Sequence, residues 1–275
     1  MSARHTTTLS EHSVATRLGA LHVRTTGDGD LTVLWPSMFV DSHTWDLMLP
    51  LLPDGRRYVL VDGPGLGLSD ELSRSSDITE AADAALDLLD ALGVGGPVDW
   101  VGNAFGGHVG FKLAARPGVL RSLVAVSSPA EPIPAELRAQ IKLLLPALRW
   151  FGPVGPVRDS VVAAMLTETS ASREPVRRIV LDALGRPTKR SLAHAVRSFI
   201  LNRVDVTAEL GSIGVPSLFV ASDDRGDWSP DAAAASAALV PNAETVAIAG
   251  ARTLIPLEQP RALAEHVRAF WSRLP

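Results

Sequence analysis

The chain has no cysteine. That removes disulfide bridges, thiolate metal sites and cysteine nucleophiles together. Aromatic residues make up only 5 %, with a single tyrosine. Lysine is confined to Lys112, Lys142 and Lys189, the other cations being scattered arginines. With a net charge of −4 there is no basic face for a nucleic acid. Long apolar runs are missing too. The longest, around Leu143 to Phe151, is broken by Pro146 and Arg149 and is too short to span a bilayer. The opening segment MSARHTTTLSEH lacks the apolar stretch of a secretory signal. No His, Asp and Glu group has metal-site spacing, and no cofactor is expected. These absences predict a soluble cytoplasmic protein that binds a small molecule and meets neither nucleic acid nor membrane.

What is present is apolar: 46 % of 275 residues, enough for a large core. Short β-like segments alternate with helical ones. Strands are expected at His12–Leu18, Leu21–Thr25, Leu31–Trp35, Tyr58–Asp62, Val98–Val101, Leu120–Ser127, Ser217–Ala221 and Thr245–Ile248. Helices are expected at Thr79–Leu92, Phe105–Ala115, Asp231–Leu239 and Gln259–Arg273. The first two strands form a hairpin through Gly19. The remaining alternation predicts an α/β fold with a mostly parallel, eight-stranded sheet and helices on both faces. It stops after Ser128. Residues 129–213 read as helices divided by Pro134, Pro146, Pro153, Pro156, Pro175 and Pro187. This predicts a core of residues 1–128 and 214–275 with a helical cap, residues 129–213, over the carboxyl edge of the sheet, where ligands bind in open α/β folds.

One stretch has the layout of a catalytic turn. Gly102-Asn103-Ala104-Phe105-Gly106 joins a strand to an Ala-rich helix, as in the G-x-S-x-G nucleophile elbow. Its central residue is Ala104, whose methyl group attacks nothing. Three further segments accompany it: Asp62-Gly63-Pro64-Gly65-Leu66-Gly67-Leu68-Ser69, Val220-Ala221-Ser222-Asp223-Asp224, and Gly250-Ala251-Arg252-Thr253-Leu254-Ile255-Pro256-Leu257-Glu258-Gln259-Pro260. The glycines of the first lack the Lys-Ser/Thr ending of a phosphate loop.

In this order and spacing the four motifs resemble the α/β-hydrolase family over nearly the whole chain. The resemblance places the nucleophile at Ala104, the base at Thr253 and the triad acid at Asp224. It also implies an oxyanion hole from the backbone N–H groups of Met38 and Phe105, with Pro36-Ser37-Met38 close to the version seen in enol-lactonase relatives. His266 lies inside a helix and cannot replace the base without shifting the Leu-Glu-Gln-Pro register.

Serine hydrolysis needs a nucleophile and a base to take its proton. Neither Ala104 nor Thr253 supplies one, whereas backbone donors survive side-chain changes. Candidate pocket residues are Ser37, Asp41, His43, Asn103, Ser128, His194 and Arg252. All but Asn103 have a plainer role: turn chemistry for Ser37 and Ser128, helix capping for Asp41, surface exposure for His43 and His194, and a surface arginine for Arg252, which could instead pair with Asp224 or bind an acidic ligand. His108 is read as packing its helix. Three functions remain open. They are a divergent enzyme acting without a covalent intermediate on an apolar ester, lactone or ketone, an inactive ligand- or partner-binding protein, and a serine esterase or lactonase disabled by substitution. Thr253 speaks against the third, since a deliberate knockout of the base would more simply use Ala, Gln or Asn.

Overall fold

The computed structural model describes residues 9–224 and 228–274. Eight strands form one sheet: β1 (Ser10–Thr16), β2 (Gly19–Thr26), β3 (Asp30–Trp35), β4 (Arg56–Val61), β5 (Val98–Asn103), β6 (Leu120–Val126), β7 (Ser217–Ser222) and β8 (Ala243–Ile248). Their spatial order is β1-β2-β4-β3-β5-β6-β7-β8. The β1–β2 and β2–β4 pairs are antiparallel and all others parallel. All eight expected strands form, with ends that shift by a few residues. β5 runs two residues beyond the expected Val101, into the elbow itself. β6 stops one residue early because Ser127 has φ of 50° and leaves the extended conformation.

Side-chain alternation along each strand builds two cores, one on each face. Val33, Trp35, Trp100, Leu123 and Phe219 pack on one side. Their sequence neighbours Leu34, Val101, Val124 and Leu218 pack on the other. Helices α1 (Ile78–Ala91) and α2 (Phe105–Ala114) cover the first side. Asp77 starts α1 by accepting the Glu80 N–H at 2.9 Å.

Between β6 and β7 the chain forms α3 (Ala135–Phe151), α4 (Gly155–Met165), α5 (Glu168–Ser172), α6 (Glu174–Gly185) and α7 (Lys189–Ala195), the last continuing as a π-helical turn over Val196–Leu201. The prolines mostly punctuate these helices as expected. Pro146 does not: it sits inside α3. Both it and Lys142, whose carbonyl it leaves without a donor, are exposed to water, which replaces the lost bond. After β7 come α8 (Pro230–Ala237), α9 (Ile255–Glu258) and α10 (Pro260–Trp271). α10 buries Leu263, Ala264, Val267, Phe270 and Trp271, one helical stripe against the second core.

Candidate active site

The elbow is built by close approach. A Cβ at Gly102 would lie 2.1 Å from the Gly106 carbonyl oxygen, and one at Gly106 would lie 2.1 Å from the Trp35 carbonyl oxygen. Only glycine fits at either position. The turn between them forces Ala104 to φ 46° and ψ −102°, a conformation that L residues avoid. It is held from several sides. The Ala104 N–H donates to Val126 O at 2.7 Å, the Gly106 N–H donates to Pro36 O at 3.2 Å, and the His108 N–H donates to Ala104 O at 3.0 Å.

α2 begins at Phe105, so the N–H of this residue has no acceptor within the helix and lies at its positive end. The Phe105 ring stacks on Phe199 at 4.4 Å and meets Trp35 edge-on at 6.2 Å. The π-helical turn is thereby fastened directly above the elbow.

Beneath the helical insertion lies a cavity of about 570 Å³. Ser37, Met38, Ala104, Phe105, His108 and Thr253 line it from the sheet edge, and Ile141, Leu148, Met165 and Phe199 from the insertion. Most of its wall is apolar. His108 is buried. Its Nε2 lies 2.9 Å from Pro129 O, and burial pulls its pKa down to about 3, so the ring is neutral at physiological pH.

Several residues expected at the pocket are not among those lining the cavity. Asn103 is a tether: its Nδ2 donates to Val126 O at 3.1 Å and to Thr253 O at 2.8 Å. The Ser128 hydroxyl donates to Val126 O, within its own turn. Asp41 caps a short 3₁₀ turn, accepting the His43 N–H at 3.1 Å, and is ion-paired with Arg186 of the insertion. Burial and neighbouring Asp62 raise its pKa against the pull of Arg186. His43 turns to Asp46 at 2.8 Å, and His194 lies on α7. Asn103, Ser128, Asp41 and His43 are thus each held by a partner away from the cavity. Arg252 also points elsewhere. Its Nη2 lies 3.3 Å from the Asp224 carboxylate, its Nε donates to Asp224 O, and its Nη1 reaches Ala163 O on α4.

Asp224 is therefore paired with Arg252, not with Thr253, and is itself absent from the cavity lining. The Thr253 hydroxyl donates to Ala164 O at 3.3 Å. Arg225, the next residue in the chain, lies outside the described residues.

A family profile described as "Alpha/beta hydrolase family" matches residues 32–266. The chain belongs to the α/β-hydrolase family. Among curated relatives of this α/β hydrolase is a pimeloyl-[acyl-carrier protein] methyl ester esterase from Shewanella woodyi, 26 % identical over 212 residues, 73 % of this chain and 78 % of that protein. Among solved structures, a thermophilic esterase from Thermogutta terrifontis superposes with a TM-score of 0.86 at 22 % identity, covering 96 % of this chain and 99 % of that one. An enol-lactonase from Burkholderia xenovorans LB400 gives 0.85 at 21 %, covering 95 % and 100 %. The eight-stranded, mostly parallel sheet with its helices agrees with these likenesses.

Two residues that organise the site stood in the quoted motifs without a role. Asp62 accepts N–H groups from Ser42 and Leu68, each at 2.8 Å, and lies 3.1 Å from the His22 ring, which holds its pKa low despite burial. Glu258 is buried and accepts the Thr167 N–H at 2.8 Å and the Arg252 N–H at 2.7 Å, joining the last motif to the insertion. Their motif positions were the available signal. Phe199 and Met165 had none beyond apolar spacing.

Proposed function

We propose that this chain is a divergent α/β hydrolase that binds a small, mostly apolar carbonyl compound and acts on it without a covalent intermediate. The compound would be an ester, lactone or enolisable ketone. The observation that carries the reading is the apolar cavity floored by Ala104 at the start of α2. A carbonyl oxygen placed there would accept from the backbone N–H groups of Met38 and Phe105, and the helix terminus would favour charge developing on it. Position 104 carries no lone pair. The Thr253 hydroxyl, neutral and committed to Ala164 O, is a poor proton acceptor. The chemistry that remains is polarisation of the carbonyl, toward enolisation, elimination, ring closure or hydration, with solvent water as the acceptor of any proton released.

A purely ligand-binding role is the second reading. The Asp224–Arg252 pair favours it, because the anion that would orient a base is held by a cation instead.

The test uses an apolar methyl ketone labelled with ¹³C at its carbonyl. Binding through two N–H donors moves the carbonyl resonance downfield, and catalysis exchanges the α-protons for deuterium in D₂O. A shift without exchange would select the binding reading. Binding without a shift would refute the oxyanion hole. Fluorophosphonates should not label the chain, and p-nitrophenyl esters should hydrolyse at the background rate. Labelling of any pocket serine would reveal a relocated nucleophile.

A further inference from the structure

Among the described residues, six of the ten exposed large apolar side chains fall within residues 137–154: Leu137, Leu143, Leu144, Trp150, Phe151 and Val154. Exposure reaches 79 % at Leu143, 71 % at Trp150 and 74 % at Phe151. The other five tryptophans are buried. α3 therefore presents an apolar ridge to solvent, and Leu137 and Leu144 at its edge also line the cavity. A contiguous patch of this kind marks an interaction surface.

Beside the ridge runs a groove of about 690 Å³, lined by Arg138, Lys142, Arg149 and Arg197 and by no acidic residue. Several arginines elsewhere hold carboxylates, Arg17, Arg56, Arg121 and Arg252 among them. The four groove cations hold none among the described residues. Neither residues 137–154 nor residues 189–203 contain an Asp or Glu. The field shows at His194, whose pKa is lowered by burial and by Arg190, Arg149 and Arg197. All this sits on a chain whose net charge is negative.

We propose that the α3 ridge and its flanking cations dock the protein onto an anionic lipid surface, with Trp150 and Phe151 entering the interface and Arg138, Lys142, Arg149 and Arg197 meeting the headgroups. Outward Trp, Phe and Leu on one helix beside unpaired cations is the disposition of an interfacial helix. A second copy of the chain would bring the same cations against these, which opposes pairing. The docked ridge also brings the cavity edge to the lipid, where an apolar substrate concentrates. No described helix is long and apolar enough to cross a membrane, so the association is peripheral.

The test is co-sedimentation of the full chain with vesicles of equal parts phosphatidylcholine and phosphatidylglycerol, against phosphatidylcholine alone. Trp150 is a built-in probe, being the one exposed tryptophan. Binding to the anionic vesicles should blue-shift its emission, protect it from acrylamide and weaken with salt. Inorganic phosphate at millimolar concentration should not compete, since a free anion brings no apolar phase. Lys142→Gln with Arg149→Gln should weaken binding by about 25-fold, roughly fivefold per cation. Trp150→Ala should weaken it and abolish the blue shift. All three side chains are exposed, so circular dichroism melts should match the parent. No binding to the anionic vesicles would overturn the proposal, as would binding that the double variant leaves unchanged. Refusal of vesicles alongside salt-sensitive binding of an acidic protein would overturn it in favour of a protein partner.

Discussion

Ala104→Gly should make this protein more stable. Ala104 is held at φ 46° and ψ −102°, where its Cβ crowds the backbone. Non-glycine residues in such regions carry about 1–3 kcal/mol of strain. Glycine adopts the same angles freely but adds freedom to the unfolded chain, which costs about 0.5–1 kcal/mol. The methyl group lines a cavity, so its loss forfeits little packing. The balance is a gain of about 1 kcal/mol. A chain of 275 residues shifts its Tm by about 2 °C per kcal/mol, so the variant should melt about 2 °C higher. Reversible calorimetry reads this directly, with urea unfolding as a second measure. The same change frees the Phe105 N–H to wander, so carbonyl binding should weaken as stability rises. A variant that melts at or below the parent temperature would refute the argument. It would mean that the elbow stores no net strain, or that the Ala104 methyl packs better than its position suggests.

Three further outcomes follow from the ion pairs. Arg186→Met strands Asp41 in a buried site and should cost about 3 kcal/mol at neutral pH. Burial already raises the Asp41 pKa and loss of Arg186 raises it further, so the deficit should shrink as pH falls from the variant's value toward the parent's and the carboxyl protonates; a deficit constant with pH in urea titrations would refute this. His22 binds its proton more tightly when folded, chiefly through its hydrogen bond to Asp62. Its contribution is complete below 6.5, the ordinary histidine value, and is lost as pH rises through the higher folded value. His22→Gln should therefore flatten the fall of stability with pH in that window; an unchanged slope would show that another group carries it. Ala104→Ser with Thr253→His should give only weak hydrolysis of p-nitrophenyl esters while Arg252 holds Asp224, and adding Arg252→Ala should raise it, since triad members act as a unit. Equal rates for the double and triple variants would show that the ion pair does not withhold the acid.

The eight strands, their alternation and the helical break after β6 were legible in the sequence, because each is set by local periodicity and by proline and glycine. The elbow was legible for the same reason. Gly102 and Gly106 are dictated by backbone contacts that no other residue survives. That Ala104 and Thr253 carry neither a nucleophile nor a base was equally plain, since the chemistry a side chain offers is fixed by residue type alone. Tertiary structure decided where the polar candidates go. Asn103, Asp41 and Arg252 each stand near the site in sequence, yet each finds a partner in another loop, and Ser128 turns back on its own; a buried polar group takes the partner within reach. Only folding brings Ala163 of α4 and Asp224 after β7 to the same arginine. It is likewise only the packed insertion that turns Leu143, Trp150 and Phe151 outward while burying Leu145 and Leu148 of the same helix. The pattern shows that α3 is apolar; which of its faces meets water depends on what it packs against.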